Sequence, residues 1–205
     1  MKRIFIALLA TIATISVSAQ EFNLGVVGGL NLAWERVKAV DLATSSDSYL
    51  GFQVGAKIEM NMSSYLTNGF YVEGSLLYNL KGTNYAGSHT NLGYLQLPVN
   101  LGYRLPISGN VSLMGAAGPY VAIGVLGKDV ETSLDSKIKT DIFGKKYQRF
   151  DFGLNYKLGV ELWHQWQLYF GFEQGLINMA KSDYATYLGT KRKTMNLYIG
   201  TAYMF

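Results

Sequence analysis

The sequence has no cysteine and only three prolines, and charged side chains make up just 16% of its 205 residues. Without cysteine there is no disulfide framework, thiol nucleophile, thiolate metal site or lipidated N-terminal cysteine. Sparse charge beside 49% hydrophobic and 14% aromatic residues excludes a disordered polyelectrolyte and favours one compact domain. Histidine is scarcer still: His89 and His164 are the whole supply, too few and too far apart to suggest a metal cluster. Long apolar runs are also missing, since no window after residue 20 approaches the roughly eighteen residues of a membrane helix. What is present in excess is glycine, 23 residues, or about 11% against a usual value near 7%. With so little proline, that excess is neither a collagen nor a linker signature.

Residues 1–19 read MKRIFIALLATIATISVSA. Lys2 and Arg3 give a positive start, Ile4 to Ile15 an apolar stretch too short to span a bilayer, and Val17-Ser18-Ala19 a small-residue cleavage site before Gln20. We read 1–19 as a secretory signal peptide and 20–205 as the mature domain. Its removal lowers the formal charge from +4 to +2.

From residue 22 onward apolar residues recur with period two, the signature of strands with unlike faces. The pattern predicts eight of them, over 22–33, 49–60, 69–81, 94–105, 110–125, 150–162, 165–176 and 193–205. In 49–60, Leu50, Phe52, Val54, Ala56, Ile58 and Met60 alternate without a break with Gly51, Gln53, Gly55, Lys57 and Glu59. In 69–81 the misfit is Leu77, which falls on the polar face. Pro98 and Pro119 predict a bulge in each of the fourth and fifth strands, because proline gives no ladder hydrogen bond. The intervening segments alternate in length, 34–48, 126–149 and 177–192 being long, 82–93 medium and the others short. This is the pattern of an up-and-down antiparallel barrel with both termini at the short-turn end.

Alternation alone does not say which face points inward. The polar faces carry Gly, Asn, Gln, Tyr and few charges, whereas a water-exposed wall is denser in Lys and Glu. A crowded lumen suits this set, with Gly51, Gly55, Gly102, Gly153, Gly159 and Gly171 making room for Tyr120, Tyr169 and Tyr198. Aromatics at the strand ends, Phe70, Tyr103, Trp166, Tyr203 and Phe205 on one side and Tyr78, Phe150 and Phe152 on the other, suit two interfacial girdles. The expected fold is therefore all-β: an eight-stranded antiparallel transmembrane β-barrel of the outer membrane. The rival is a soluble lipocalin-like binder with Phe52, Val54, Phe152 and Leu154 turned inward around a ligand.

The stretches GVVGGLNLA (25–33), YVEGSLLYNLKG (71–82), YLQLPVNLGYRL (94–105), GPYVAIGVLGK (118–128), FDFGLNYKLGVEL (150–162) and YFGFEQGLINM (169–179) resemble the PorT-like outer-membrane β-barrel family of Bacteroidetes. Phe205 is similar to the C-terminal aromatic read by the barrel-assembly machinery. The resemblance implies a scaffold and a location in the cell outer membrane. It brings no catalytic, cofactor or metal residue with it, and one member's part in a secretion assembly is not transferred.

The lumen-facing ionisable residues are expected to be Lys57, Glu59, Glu73, Lys81, Arg104, Asp151, Lys157, Glu161 and Glu173. Strand direction sets Arg104 near Glu59, Glu73 and Glu161, with Lys57 and Lys157 close by. An internal network of Lys57, Glu59, Glu73, Arg104, Lys157 and Glu161 is expected to close the lumen, Arg104 pairing with Glu73 and Glu59, since charges leave water only when paired. A narrow channel or a secretion-assembly component is the alternative. Lipid-modifying catalysis would need a base beside a nucleophile. His89, in an extracellular loop beside Ser88, and His164, in a tight turn, have no orienting acid implied by spacing. The expected partners are outer-membrane lipid, lipopolysaccharide touching the basic outer segments, and the barrel-assembly machinery. Nothing points to nucleic acid.

Overall fold

The computed structural model describes residues 22–39, 42–45, 47–85, 88–133, 136–141, 148–179 and 191–205. The expected signal peptide lies outside them. Ten strands follow in order: β1 (Phe22–Ala39), β2 (Leu42–Ser45), β3 (Tyr49–Asn61), β4 (Phe70–Tyr85), β5 (Ser88–Ser108), β6 (Val111–Ser133), β7 (Ser136–Asp141), β8 (Phe150–Leu162), β9 (Trp166–Gly175) and β10 (Lys191–Met204). Eight of them form one antiparallel sheet in the order β10-β9-β8-β6-β5-β4-β3-β1, and β10 returns to pair with β1 from Gly25↔Met204 to Lys38↔Lys191. The sheet is thus a closed barrel without open staves. Closure is what lipid demands, because an unpaired backbone donor there costs several kcal/mol.

The period-two pattern becomes the two faces of this wall. Leu24, Val26, Leu30, Leu50, Phe52, Val54, Leu97, Leu101, Leu158 and Phe170 are exposed outward, while Asn31, Gln53, Lys57, Glu73, Gln96 and Lys157 are buried within. The lipocalin-like arrangement is excluded: Phe52 and Val54 are 43% and 50% exposed, on the outside. Leu77, the misfit, does face the lumen, where it joins Val27, Tyr169, Tyr198, Ala202 and Met204 in an apolar layer.

Neither proline makes the expected bulge. The β4–β5 register is the same on both sides of Pro98, but the pairs of Ser75 and Leu76 with Pro98 and Leu97 are missing. Likewise β5–β6 skips Val99 and Asn100 opposite Pro119 and Gly118 without a shift. Each proline therefore opens the ladder on one side and stays paired on the other, Pro98 with Tyr120 and Pro119 with Leu154. The register shifts lie elsewhere, between Gly93 and Tyr94 and between Pro106 and Ser108.

Above the membrane zone the strands continue. Segments 34–48, 82–93 and 126–149, read from sequence as loops, hold the ends of β1, β4, β5 and β6 together with β2 and β7. The sequences of these segments show no period-two alternation, which is why they read as loops. His89 accordingly sits on β5, opposite Asn84 and Val130, rather than in a free loop.

At the short-turn end, Gln165 N–H donates to Leu162 O at 3.1 Å, and Trp163 and His164 have φ of 51° and 59°. Residues 163–165 thus link Leu162 to its ladder partner Trp166, two of them, neither a glycine, in a left-handed conformation that costs an ordinary residue about 1–2 kcal/mol. His164→Gly is expected to stabilise the barrel by about 1 kcal/mol, read as a higher urea midpoint in vesicles. The offset is small because His164 is solvent-exposed, and the substitution gives up only one exposed hydrogen bond to Gly109 O, at 3.2 Å, and a 3.7 Å approach to Glu161 Oε1.

Candidate functional site

The lumen is the candidate site. Its packing begins with glycine: Tyr71 pairs directly with Gly102, Tyr120 with Gly153, Tyr198 with Gly171, and Tyr169 with both Gly159 and Gly200. A Cβ at any of these five glycines would collide with the tyrosine across the strand pair. Gly51 and Gly55 serve differently, since a Cβ there would strike the carbonyls of Leu80 and Leu76 on the neighbouring strand β4. Each tyrosine thus lies over a bare stretch of backbone and fills part of a barrel only wide enough for side chains.

In the short-turn half, β3 and β4 set Glu59 directly opposite Glu73. Two like charges so placed repel, and cations from neighbouring positions answer them. Lys57 Nζ lies 2.7 Å from Glu59 Oε1 and 2.6 Å from Glu73 Oε2. Lys157 Nζ reaches both Glu73 oxygens, at 2.5 and 2.6 Å. Arg104 Nη2 bridges Glu59 and Glu161 at 2.8 and 2.7 Å, with its guanidinium 4.8 Å from the Tyr71 ring centre. Gln167 ties these together: its Oε1 accepts from Lys57, and its Nε2 donates to Glu59 and Glu161. The structure therefore gathers Lys57, Glu59, Glu73, Arg104, Lys157 and Glu161 into one cluster, three cations against three carboxylates.

The expected Arg104–Glu73 pair is replaced by Arg104–Glu161. Register explains the change: Glu73 lies opposite Asn100, and Arg104 is four residues further along β5, about 14 Å at 3.4 Å per residue. Arg104 consequently caps the short-turn mouth. Asn100 Nδ2 donates to Glu73, Asn155 to Asn100, and Tyr198 O–H to Asn155, carrying the network toward mid-lumen.

A second tier lies in the long-hairpin half. Lys81 Nζ pairs with Glu173 Oε2 at 2.8 Å and faces the rings of Tyr94 and Tyr120. Gln96 and Asn196 donate to Glu173, Asn79 donates to Gln96, and Asn31 donates to Asn79. Asp151 accepts from Tyr120 and Thr194. Two features escaped the sequence reading. Arg192 pairs with buried Glu35 at 3.3 Å, beyond the expected limits of both strands. Met179, fully buried against Leu92, Tyr94, Tyr120 and Ala122, corks this mouth. Backbone bonds from Met179 N–H to Arg192 O and from Gln148 N–H to Met179 O hold the cork. Between the tiers, a cavity of about 20 Å³ lined by Lys57, Glu73, Asn100, Asn155, Lys157 and Tyr198 has room for about one water.

The outward aromatics pair at the two ends of the wall. Phe70 meets Tyr103 at 5.0 Å, Trp166 meets Tyr203 at 5.0 Å and Tyr203 meets Phe205 at 5.5 Å at the short-turn end. Phe52 meets Tyr78 at 6.1 Å and Trp34 meets Phe172 at 6.4 Å toward the other. Among the described residues no group of three or more His, Asp or Glu is placed to hold a metal ion.

A closed eight-stranded wall, apolar outside and ionic within, with aromatics at both edges, defines a small bacterial outer-membrane β-barrel. The chain belongs to the outer membrane protein beta-barrel domain family, whose model matches residues 5–205. Among solved structures it is similar to Ail, the attachment invasion locus protein of Yersinia pestis, at 18% identity and a TM-score of 0.46, covering 91% of this chain and 100% of that one. It is also similar to Neisserial surface protein A at 14% identity and a TM-score of 0.48, covering 89% and 97% respectively. For the outer membrane protein OprG of Pseudomonas aeruginosa the values are 13%, 0.44, 90% and 96%. No curated protein matches the sequence.

Proposed function

We propose that the protein is a sealed outer-membrane barrel that acts as a structural or surface-interaction protein through its extracellular hairpins. It is exported with residues 1–19 removed ahead of Gln20. The observation that carries this reading is the filled lumen: two hydrogen-bonded ionic tiers, an apolar cluster packed beside them, and a cavity of about 20 Å³ between the tiers. A conducting pore needs a continuous water path, and here Arg104 and Met179 occupy the two mouths. The partners are outer-membrane lipid, lipopolysaccharide phosphates at the basic outer surface, and the barrel-assembly machinery reading the C-terminal Phe205. On the six stretches quoted above, we group the chain with the PorT-like barrels of Bacteroidetes. A place in a secretion assembly is the alternative, and stable co-purification with an export component would favour it.

In planar bilayers the purified barrel is expected to show no steady conductance. The paired variant Arg104→Ala with Met179→Gly, which empties both mouths, is expected to give at most brief openings, because the Lys57–Glu73–Lys157 cluster still fills the middle. A steady large conductance in the unmodified protein would overturn the sealed-lumen reading.

A further inference from the structure

At the extracellular end of the seam between β1 and β10, the register sets Arg36 directly opposite Lys193 and Lys38 opposite Lys191. These positions alternate with Glu35 and Arg192, which pair with each other on the lumen side. Arg36, Lys191 and Lys193 therefore belong to the outer, lipid-facing side of the wall. Arg36 and Lys191 are exposed and Lys193 is half-buried. Like charges directly opposite in a ladder destabilise it, so two such pairs in succession call for a compensating anion. Among the described residues, no carboxylate pairs with Arg36, Lys191 or Lys193. On the adjoining strand β2 the register positions beside Arg36 and Lys38 are Ser45 and Ala43, neither acidic.

Height supplies the second observation. Trp34, two residues nearer the membrane on the same face as Arg36, packs 6.4 Å from Phe172. Such outward aromatic pairs mark the headgroup level. The cations stand one step above it, where the phosphates of the outer leaflet lie. Guanidinium and ammonium groups together suit phosphate, the one by paired hydrogen bonds and the other as a point charge.

We propose that this seam patch is a clamp for a phosphorylated outer-leaflet lipid, the lipid A portion of lipopolysaccharide, held by Arg36, Lys191 and Lys193. It gives a definite place to the lipopolysaccharide contact proposed above and rests on that reading. Occupation would also cancel the like-charge repulsion across the seam that closes the barrel.

The test uses the mature barrel in nanodiscs of phosphatidylcholine, titrated with bisphosphorylated lipid A, with fully dephosphorylated lipid A, and with inorganic pyrophosphate. The triple variant Arg36→Gln, Lys191→Gln, Lys193→Gln is compared with Lys137→Gln, Lys139→Gln, Lys145→Gln, which removes the same charge from the 126–149 stretch of the sequence. At about fivefold per cation near a charged surface, the seam variant is expected to bind bisphosphorylated lipid A about 100-fold more weakly, and the control about as well as the unmodified barrel. Equal losses in both variants would mean diffuse charge attraction and overturn the clamp. So would no loss in the seam variant, or equally tight binding of dephosphorylated lipid A. Pyrophosphate binding as tightly as the lipid would assign the patch to free phosphate and overturn the lipid assignment. Should the seam variant fail to fold, salt reads the same claim in the unmodified barrel: affinity must fall steeply between about 0.05 and 0.5 M as the screening length shortens from about 14 Å to about 4 Å, and unchanged affinity refutes the clamp. Conductance is measured separately, so failure here and failure of the sealed lumen are distinguishable.

Discussion

Glu73→Gln is expected to cost about 3–5 kcal/mol of unfolding free energy, because it removes the one carboxylate that Lys57 and Lys157 share and strands positive charge inside a sealed barrel. Glu73, Lys57 and Lys157 are all buried, so solvent offers little relief. Gln is nearly isosteric and keeps a hydrogen-bond acceptor for Asn100, so the loss is of charge rather than shape. The measurement is urea unfolding in lipid vesicles, followed by gel mobility of the unheated protein. A second variant isolates the cause. Glu73→Leu with Lys157→Met removes both members of one pair and leaves Lys57 with Glu59 and Arg104 with Glu161, two cations against two carboxylates. Replacing a whole buried pair by apolar groups is often neutral or stabilising, so this double variant is expected to recover most of the loss. If Glu73→Gln unfolded at the same urea concentration as the unmodified barrel, the cluster would be hydrated, and the sealed-lumen reading would fail with it.

The transmembrane wall was legible in the sequence because one physical demand, apolar toward lipid and polar inward, is written on every second residue. Lys57, Glu59, Glu73, Arg104, Lys157 and Glu161 were legible for the same reason: they are ionisable residues on the inward phase. Their partners were less so. Pairing depends on register, and whether Arg104 reaches Glu73 or Glu161 turns on a four-residue offset that periodicity does not reveal. The prolines misled because a missing donor can be absorbed by omitting ladder pairs as well as by inserting a residue. Above the membrane the signal fades. The ends of β1, β4, β5 and β6, with β2 and β7, carry no period-two alternation in their sequences, so they read as loops. Glu35 and Arg192 were missed because they lie in those continuations. Met179 was missed because a single methionine turned into a barrel mouth follows no repeat. Gln167, an uncharged link among six charges, was visible as an inward residue but not as the junction it forms.

Leu158→Arg is the complementary test, applied to the other side of the same wall. Leu158 is 69% exposed on the outer surface, between Gly115 and Phe170 in the ladder, and its strand neighbour Lys157 is buried in the lumen. Adjacent residues of one strand thus meet opposite environments. In a lipid-facing barrel an arginine at mid-depth costs about 2–4 kcal/mol, and the cost falls to about 0–1 kcal/mol near the interface. Leu158→Arg is therefore expected to lose about 2–4 kcal/mol in vesicles, while the same change at Ile107, an exposed residue near the short-turn end, is expected to lose less than about 1 kcal/mol. The gradient matters more than either value. A surface residue of a water-soluble barrel would accept arginine at both positions at little cost, whereas a core residue would reject it at both. Only a wall standing in a hydrocarbon layer of finite thickness makes the penalty depend on height. Equal penalties at Leu158 and Ile107 would contradict the depth assigned to this wall, and with it the placement of Trp34 and the seam cations at the level of the outer-leaflet phosphates.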